Sequence, residues 1–383
     1  MEHLINSRIK EIEISGIRKF FNLVSQYENV ISLTIGQPDF DTPDHIKDKA
    51  KKAIDENYTT YTPNAGMIEL RKAATTYLKT KYNLKYDYED EVITTIGASQ
   101  AIDITFRTIL EEGSEVILPG PVYPGYEPLI KLCGATAIIA DTRDTQFKLT
   151  AKVIEEHLTE KTRCVVLPYP SNPTGVTLTK EEIDEIAALL EGKDIFIVSD
   201  EIYSELVFND QHHSIAHLLP KQTIVINGLS KSHSMTGWRI GFTFAPREIT
   251  KHMIKVHQYN VSCASSISQK AALEALTAGI DDANEMRSQY IDRLNYVYQR
   301  LIDMGISVVK PNGAFYLFPS VEKFGMSSFE FAHKLLEEEG LAVVPGDAFG
   351  SHGEGYIRIS YAYSMPTLIK AMDRLEAFIN KIC

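Results

Sequence analysis

From residue 91 to residue 244 the chain alternates short, continuous apolar runs with longer amphipathic stretches. The runs are Glu91–Ile96, Glu115–Leu118, Ala137–Ala140, Cys164–Leu167, Ile195–Ser199, Thr223–Asn227 and Ile240–Phe244. A strand with one wet face alternates polar and apolar residues, and these runs do not. They predict strands covered by helices on both faces, an α/β fold built on a mostly parallel sheet. Behind the first run, Ile102, Phe106, Ile109 and Leu110 share one helical face, as a covering helix requires.

The pattern changes after about Ala278, where a charged helical stretch runs from Asp281 to Met304. Beyond it the expected strands are Ile306–Lys310, Ala314–Phe318, Ala342–Val344 and Tyr356–Ser360, with helices over Ser328–Glu339 and Met365–Ile382. Ahead of the main pattern, Ile14–Tyr27 reads as a helix, Ile31–Ile35 as extended chain and Gly36-Gln37-Pro38-Asp39 as a turn. The expected organisation is an N-terminal arm (residues 1–43) packing with a small C-terminal α/β domain (residues 281–383), and a large domain between them (residues 44–280).

Composition narrows the function classes. A hydrophobic fraction of 44% and a charged fraction of 23% exclude disordered and fibrous chains. The formal charge of -12 leaves no basic surplus to neutralise phosphates, which argues against a nucleic-acid partner. No run of eighteen apolar residues occurs, so no membrane span is expected. Met1–Lys10 lacks a continuous apolar core and a small-residue cleavage site, so the expected location is the cytoplasm. Cys133, Cys164, Cys263 and Cys383 are far apart and form no C-x-x-C pair, which predicts neither a disulfide framework nor a zinc knuckle. There is no H-E-x-x-H, and His212-His213 lacks ligand spacing, so no metal is expected.

Sheets of this kind bind ligands at the carboxyl ends of their strands, so the residues after the runs are the ones that carry chemistry. The run Thr223–Asn227 ends in Gly228-Leu229-Ser230-Lys231-Ser232, with Arg239 eight residues beyond the lysine. Burial and a nearby cation lower a lysine pKa toward neutrality, which a Schiff-base amine needs. A snorkelling lysine on an ordinary connection also fits the segment, whereas a serine-hydrolase elbow does not, because the last glycine of G-x-S-x-G is missing. Gly97-Ala98-Ser99-Gln100 reads as a turn with Ser99 at a helix start, either a phosphate site or a plain cap. Asn172-Pro173-Thr174-Gly175 is a sharp turn that fixes an amide at a strand end, or a turn and nothing more. Asp200, directly after an apolar run, is a buried anion in need of a cation or donor, or an exposed helix cap. Arg358 interrupts the apolar Tyr356–Ser360, where a buried guanidinium would bind a carboxylate and an exposed one would bind water.

Taken in order, Gly36, Tyr61, Gly97, Asn172, Asp200, Lys231, Arg239 and Arg358 resemble the fold-type I pyridoxal-phosphate enzymes, specifically the class I/II aminotransferases, over essentially the whole chain. That resemblance implies a large domain with a mostly parallel seven-stranded sheet and a smaller α/β domain. It implies that Lys231 holds pyridoxal 5′-phosphate as a Schiff base and shuttles the α-proton, that Asp200 pairs with the ring nitrogen, and that Asn172 and Tyr203 bond the phenolate oxygen. Tyr123 stacks on the ring, and the amides of Ala98 and Ser99, the Ser230 hydroxyl and Arg239 hold the phosphate. Tyr61 reaches the phosphate of a neighbouring subunit, which implies a homodimer. Arg358 binds the substrate α-carboxylate with help from Gly36 and Asn172.

Two positions depart from the family pattern. Gly228 stands where relatives carry a phosphate-binding hydroxyl, three residues before the lysine. Ser99 stands where aspartate-specific members often carry lysine, which weakens aspartate as the substrate. The implied reaction moves an amino group between L-glutamate/2-oxoglutarate and a 2-oxo acid, with N-acetyl-2-amino-6-oxopimelate of lysine biosynthesis as the acceptor. Arg18 is the candidate for its remote carboxylate, against a solvated helix arginine. The alternatives are a broad-specificity aspartate or aromatic aminotransferase, a pyridoxal-phosphate C–S lyase, and a regulator built on the same domain.

Overall fold

The computed structural model describes residues 1–208 and 211–382, so Cys383 lies outside the described residues. Among those residues the strands are β1 (Ile31–Ser32), β2 (Val92–Thr95), β3 (Glu115–Gly120), β4 (Thr136–Asp141), β5 (Thr162–Leu167), β6 (Phe196–Asp200), β7 (Thr223–Gly228), β8 (Gly241–Phe244), β9 (Tyr316–Leu317), β10 (Leu341–Ala342), β11 (Val344–Pro345) and β12 (Ile357–Ser360). All the apolar runs between residues 91 and 244 become strands of one seven-stranded sheet, in the order β2-β8-β7-β6-β5-β3-β4. β7, β6, β5, β3 and β4 pair in parallel, and β8 is antiparallel to both β2 and β7.

Both faces are covered, as the lack of alternation requires. Ile224 and Ile226 of β7 join Phe106 and Met253 in one apolar cluster, while Val225 between them joins Phe242 and Phe244 in another. The helix Gly97–Ile109 supplies Ile102, Phe106 and Ile109 to the first cluster. It begins at Gly97, so Ser99 sits inside the first turn and is not the cap.

The C-terminal part holds a three-stranded antiparallel sheet, β11-β12-β9, and the helices Ala283–Asp303, Ser328–Glu339 and Met365–Ile382. Its core includes Tyr290, Phe315, Phe331, Ile357 and Phe378, together with Phe20 and Val24 of the N-terminal helix Gly16–Val24. β1 pairs in parallel with β10, which ties residues 31–32 to this core.

The structure corrects three expectations. Ile306–Lys310 forms no strand: the Ile306 N–H turns back to the Leu301 carbonyl (2.9 Å), the Ser307 carbonyl accepts from the Ser320 N–H (2.8 Å) with no ladder around it, and Pro311 follows without a donor. Ile306 is apolar because it fills the core, not because it pairs. Ala342–Val344 divides at Val343, since β10 pairs with β1 and β11 with β12. The first helix is Gly16–Val24, shorter than Ile14–Tyr27, and Ser15 takes its N-cap position. Of the described cysteines, all unpaired, Cys164 is buried and Cys133 and Cys263 are half-buried.

The sheet meets the helix Gly97–Ile109 through a contact that only glycine permits. Gly241 opens β8 opposite both Thr95 and Gly228. A Cβ there would lie 2.6 Å from the Gly97 carbonyl carbon and 2.7 Å from the Ala98 nitrogen. The missing side chain therefore sets the height of the helix N-terminus above the sheet. Gly241→Ala is expected to destabilise the fold by about 1–3 kcal/mol, the usual cost of overpacking. Gly237→Ala, where a Cβ meets nothing within 4 Å, is expected to change little. Urea unfolding of the two variants checks the difference.

Candidate active site

The carboxyl ends of β5, β6 and β7 open into a cavity of about 830 Å³. Its wall includes Gly36, Ala98, Ser99, Tyr123, Asn172, Asp200, Tyr203, Ser230, Lys231, Arg239 and Arg358, so all but one of the residues expected from the sequence share one space. The exception is Tyr61, which is 88% exposed and lies outside the cavity of a single chain. Arg18 lines the cavity from the helix Gly16–Val24.

Lys231 stands three residues beyond β7. Its Nζ donates to the Gly36 carbonyl (2.6 Å), a contact made by the N-terminal turn. Burial lowers the amine to about 8, the Arg358 and Arg239 cations push the same way, and Asp200 opposes them. A fraction of the amine is therefore neutral, and nucleophilic, near physiological pH.

Asp200 ends β6 and is 6% exposed. Its Oδ2 accepts from the Tyr126 hydroxyl (2.6 Å) and its Oδ1 from the Ile202 N–H (3.2 Å). Burial pushes the carboxyl up to about 6, against the pull of these two donors, while Glu201 adds to the rise and Lys231 offsets it. The result is an anion at neutral pH that has donors and, among the described residues, no ion-pair partner in contact, which suits it to receive a cation from a ligand.

Arg358 comes from the middle of β12 and is 2% exposed, so its strand does not turn it to solvent. Nη1 donates to the Asn172 Oδ1 (2.9 Å) and Nη2 to the Thr34 carbonyl (2.6 Å), and Nε has no partner among the described residues. The guanidinium lies 4.6 Å from the Tyr316 ring and 4.9 Å from the Phe349 ring. Burial holds it below its ordinary pKa, and none of these partners is a carboxylate. A buried cation with a free N–H and no anion calls for an anionic ligand.

Tyr203 and Tyr316 share a hydroxyl–hydroxyl bond (2.8 Å), and burial raises both phenols so that they stay protonated. Tyr123 meets the edge of Tyr126 at a centroid distance of 5.6 Å. Tyr126 and Tyr316 carry no sequence signal of their own: Tyr126 follows a Pro-Gly turn, and Tyr316 sits in the aromatic stretch Phe315–Phe318, which reads as core. The one available signal was position: Tyr126 follows Tyr123 by three residues, and Tyr316 occupies a predicted strand.

At the other end of the cavity, Gly97 has φ +71, and a Cβ on it would run into the Arg239 guanidinium. Arg239 is itself left-handed (φ 53) and donates to the Thr236 carbonyl (2.9 Å). Together with the N-terminus of a thirteen-residue helix and the buried Ser230, this arrangement fits a phosphate. Gly228 explains its own departure from the expected hydroxyl. A Cβ there would lie 3.1 Å from the Ile202 Cδ1 and from the Ile240 carbonyl oxygen, so a side chain fits only if these neighbours give by a few tenths of an ångström. The His212 ring lies outside this site, paired through Nε2 with Glu201 (2.9 Å).

The cavity thus offers a depressed lysine amine, a buried carboxylate, a buried arginine and a phosphate cradle, the set that pyridoxal 5′-phosphate and an amino acid require. Comparison with known proteins agrees. The family described as "Aminotransferase class I and II" matches residues 28–375. A probable N-acetyl-LL-diaminopimelate aminotransferase of Bacillus subtilis (strain 168) is 66% identical over 100% of this chain and 97% of its own length. Aromatic-amino-acid aminotransferase 2 of Thermococcus litoralis is 40% identical, with 98% of each chain covered. The structure of the Thermus thermophilus aspartate aminotransferase with maleate superposes with a TM-score of 0.91 at 33% identity, covering 97% of this chain and 99% of that one. The chain belongs to the class I and II aminotransferases, enzymes that depend on pyridoxal 5′-phosphate.

Proposed function

We propose that this aminotransferase moves an amino group between L-glutamate/2-oxoglutarate and N-acetyl-2-amino-6-oxopimelate, a step of lysine biosynthesis, in the cytoplasm and as a homodimer. The observation that carries the chemistry is the convergence of Lys231, Asp200 and Arg358 on one cavity. The relative named for the N-acetyl-LL-diaminopimelate reaction supports the acceptor. Residues 1–43, 44–280 and 281–383 act as arm, large domain and small domain.

Bound pyridoxal 5′-phosphate supplies an electron sink for the charge left on the amino-acid α-carbon. Lys231 would hold it through Nζ and, with its amine free, would carry the proton away from the substrate α-carbon. Asp200 keeps a proton on the ring nitrogen. Asn172 and Tyr203 donate to the phenolate oxygen, and Tyr123 covers the ring face. Ala98, Ser99, Ser230 and Arg239 hold the phosphate, and Tyr61 of a second subunit completes the cradle. Arg358 takes the α-carboxylate beside Gly36 and Asn172. Asn172 already touches Arg358, so one amide couples the cofactor and carboxylate positions.

The cavity lining also includes Ile17, Phe21, Pro128 and Leu129, with Arg18 among them. An apolar passage with a cation at its mouth suits a long substrate that ends in a carboxylate. A broad-specificity aspartate or aromatic enzyme is the second reading; the apolar lining suits an aromatic side chain, and Arg18 suits the carboxylate of aspartate.

The absorbance band of the bound cofactor in the purified protein is expected to be lost on adding L-glutamate and restored by N-acetyl-2-amino-6-oxopimelate more effectively than by oxaloacetate or a phenylpyruvate; the reverse order favours the second reading. Arg358→Gln removes one of the cations that depress Lys231, so the amine titrates above its present value of about 8. The pH dependence of Lys231 labelling by an amine reagent in the cofactor-free protein, read by mass spectrometry, checks this. Arg18→Ala raises the KM for the acylated substrate about fivefold, the size of an exposed ion pair, and leaves the KM for L-glutamate within error. An unchanged KM for the acylated substrate sinks that role.

A further inference from the structure

Asp200 does not face the cavity alone. Tyr126, 2% exposed at the start of the helix Tyr126–Leu132, places its hydroxyl 2.6 Å from Oδ2 and its ring edge against Tyr123. One side chain therefore touches both the partner of the cofactor's ring nitrogen and the residue on the ring face. The other Asp200 oxygen is held by the Ile202 N–H. Glu201 turns the opposite way, accepting from the Ser199 hydroxyl (2.9 Å) and the Ser214 hydroxyl (2.5 Å) and pairing with His212.

We propose that Tyr126 is a positioning residue of the reaction, whose hydroxyl keeps the Asp200 carboxylate ionised and oriented across the cavity toward the cofactor ring. The inference rests on the assignment of Asp200 to the ring nitrogen. The groups that act on Asp200 are Tyr126, the Ile202 N–H, Glu201 and Lys231, with Tyr123 and Tyr203 close enough to feel its charge. Among the side chains only Tyr126 and Lys231 favour the anion, and Glu201 opposes it. Lys231 acts on Asp200 through its charge and not through a hydrogen bond, so among the described residues the Tyr126 hydroxyl is the side-chain donor in contact with the carboxylate. A hydroxyl also stabilises the anion without becoming a competing cation, so the carboxylate stays available to a protonated ring nitrogen.

The sign of the effect is fixed. Removing a donor from a buried carboxylate favours the protonated form, so Asp200 in Tyr126→Phe ionises at higher pH. The variant keeps the ring, its packing on Tyr123 and therefore the fold, which a melting curve verifies.

The test is an infrared titration of the full chain without cofactor. The carboxylic-acid band of Asp200 is identified as the one missing from Asp200→Asn. In the wild type it is expected to disappear around pH 6. In Tyr126→Phe it is expected to persist about one pH unit higher. In the cofactor-loaded enzyme the acid limb of the glutamate half-reaction moves the same way, with the KM for glutamate unchanged because Arg358 is untouched. A purely structural role would lower the rate at every pH and leave the limb in place. The proposal is overturned if the Asp200 band of Tyr126→Phe titrates with the wild type. If Asp200→Asn retains the wild-type rate, the assignment of Asp200 itself fails, whatever Tyr126 does.

Discussion

The structure depends on holding three charges inside one cavity without letting them neutralise each other. Asp200, Lys231 and Arg358 converge there, yet no ion pair joins any two of them; their contacts are hydroxyls, amides and main-chain groups. Asp200 raised to about 6 and Lys231 lowered to about 8 are both less comfortable as ions inside the protein than in water. At neutral pH each shift corresponds to about 3 kcal/mol of lost stability, since one pKa unit is worth about 1.4 kcal/mol. For Asp200 the loss is complete above pH 6, and for Lys231 it is complete below pH 8 and relieved as the pH rises toward the ordinary lysine value. A ligand that supplies a cation to Asp200, takes Lys231 covalently and gives Arg358 a carboxylate removes all three costs, and so is bound in proportion to what the empty site lacks.

That arrangement explains why the fold brings distant segments together. β6 and β7 are adjacent parallel strands, so Asp200 and Lys231 arrive at the same edge by topology alone. Arg358 comes from a different sheet, and its spacers come from further away still: the Thr34 carbonyl and the Asn172 amide. The segment after β1 contributes the carbonyls of Thr34 and Gly36 to the two cations, and the Asp39–Arg293 ion pair (2.6 Å) fixes that segment to the helix Ala283–Asp303. Glycine at position 36 is required because a Cβ would meet the Tyr316 hydroxyl. The N-terminal turn is thus part of the electrostatic frame of the site.

The sequence displayed the charged members of this frame and concealed the neutral ones. Lys231, Asp200 and Arg358 stand out because each is an ion beside or within an apolar run, a placement that water-exposed surfaces do not need. The strands of the main sheet were legible on similar grounds, since a short apolar run without alternation must be buried on both faces. Tyr126 and Tyr316 were hidden, because a tyrosine after a turn or within an apolar strand shows no role until its hydroxyl partner is known. The Thr34 and Gly36 carbonyls leave no trace in residue identity. Ile306–Lys310 misled because apolar character records burial and not pairing. Tyr61 stands exposed on a single chain, and the role proposed for it needs a second subunit.

The same division bears on how the site can vary. The groups that set charge sit on β6 and β12 and just beyond β7, beside glycine contacts with little room: at Gly228 and at Gly241 of β8 a methyl group does not fit without movement. The groups proposed to meet a substrate side chain sit on the helix Gly16–Val24, which docks with Phe20 and Val24 buried while Arg18 and Phe21, both exposed, line the cavity. Its seat is a close approach, since a Cβ on Gly16 would lie 2.9 Å from the Ala348 Cβ. A substitution at Arg18 or Phe21 therefore changes what the mouth of the cavity accepts while leaving both the seat and the charge frame intact. Substrate choice can drift on this helix at little structural cost, whereas the reaction itself is locked to positions where any change is felt by the packing.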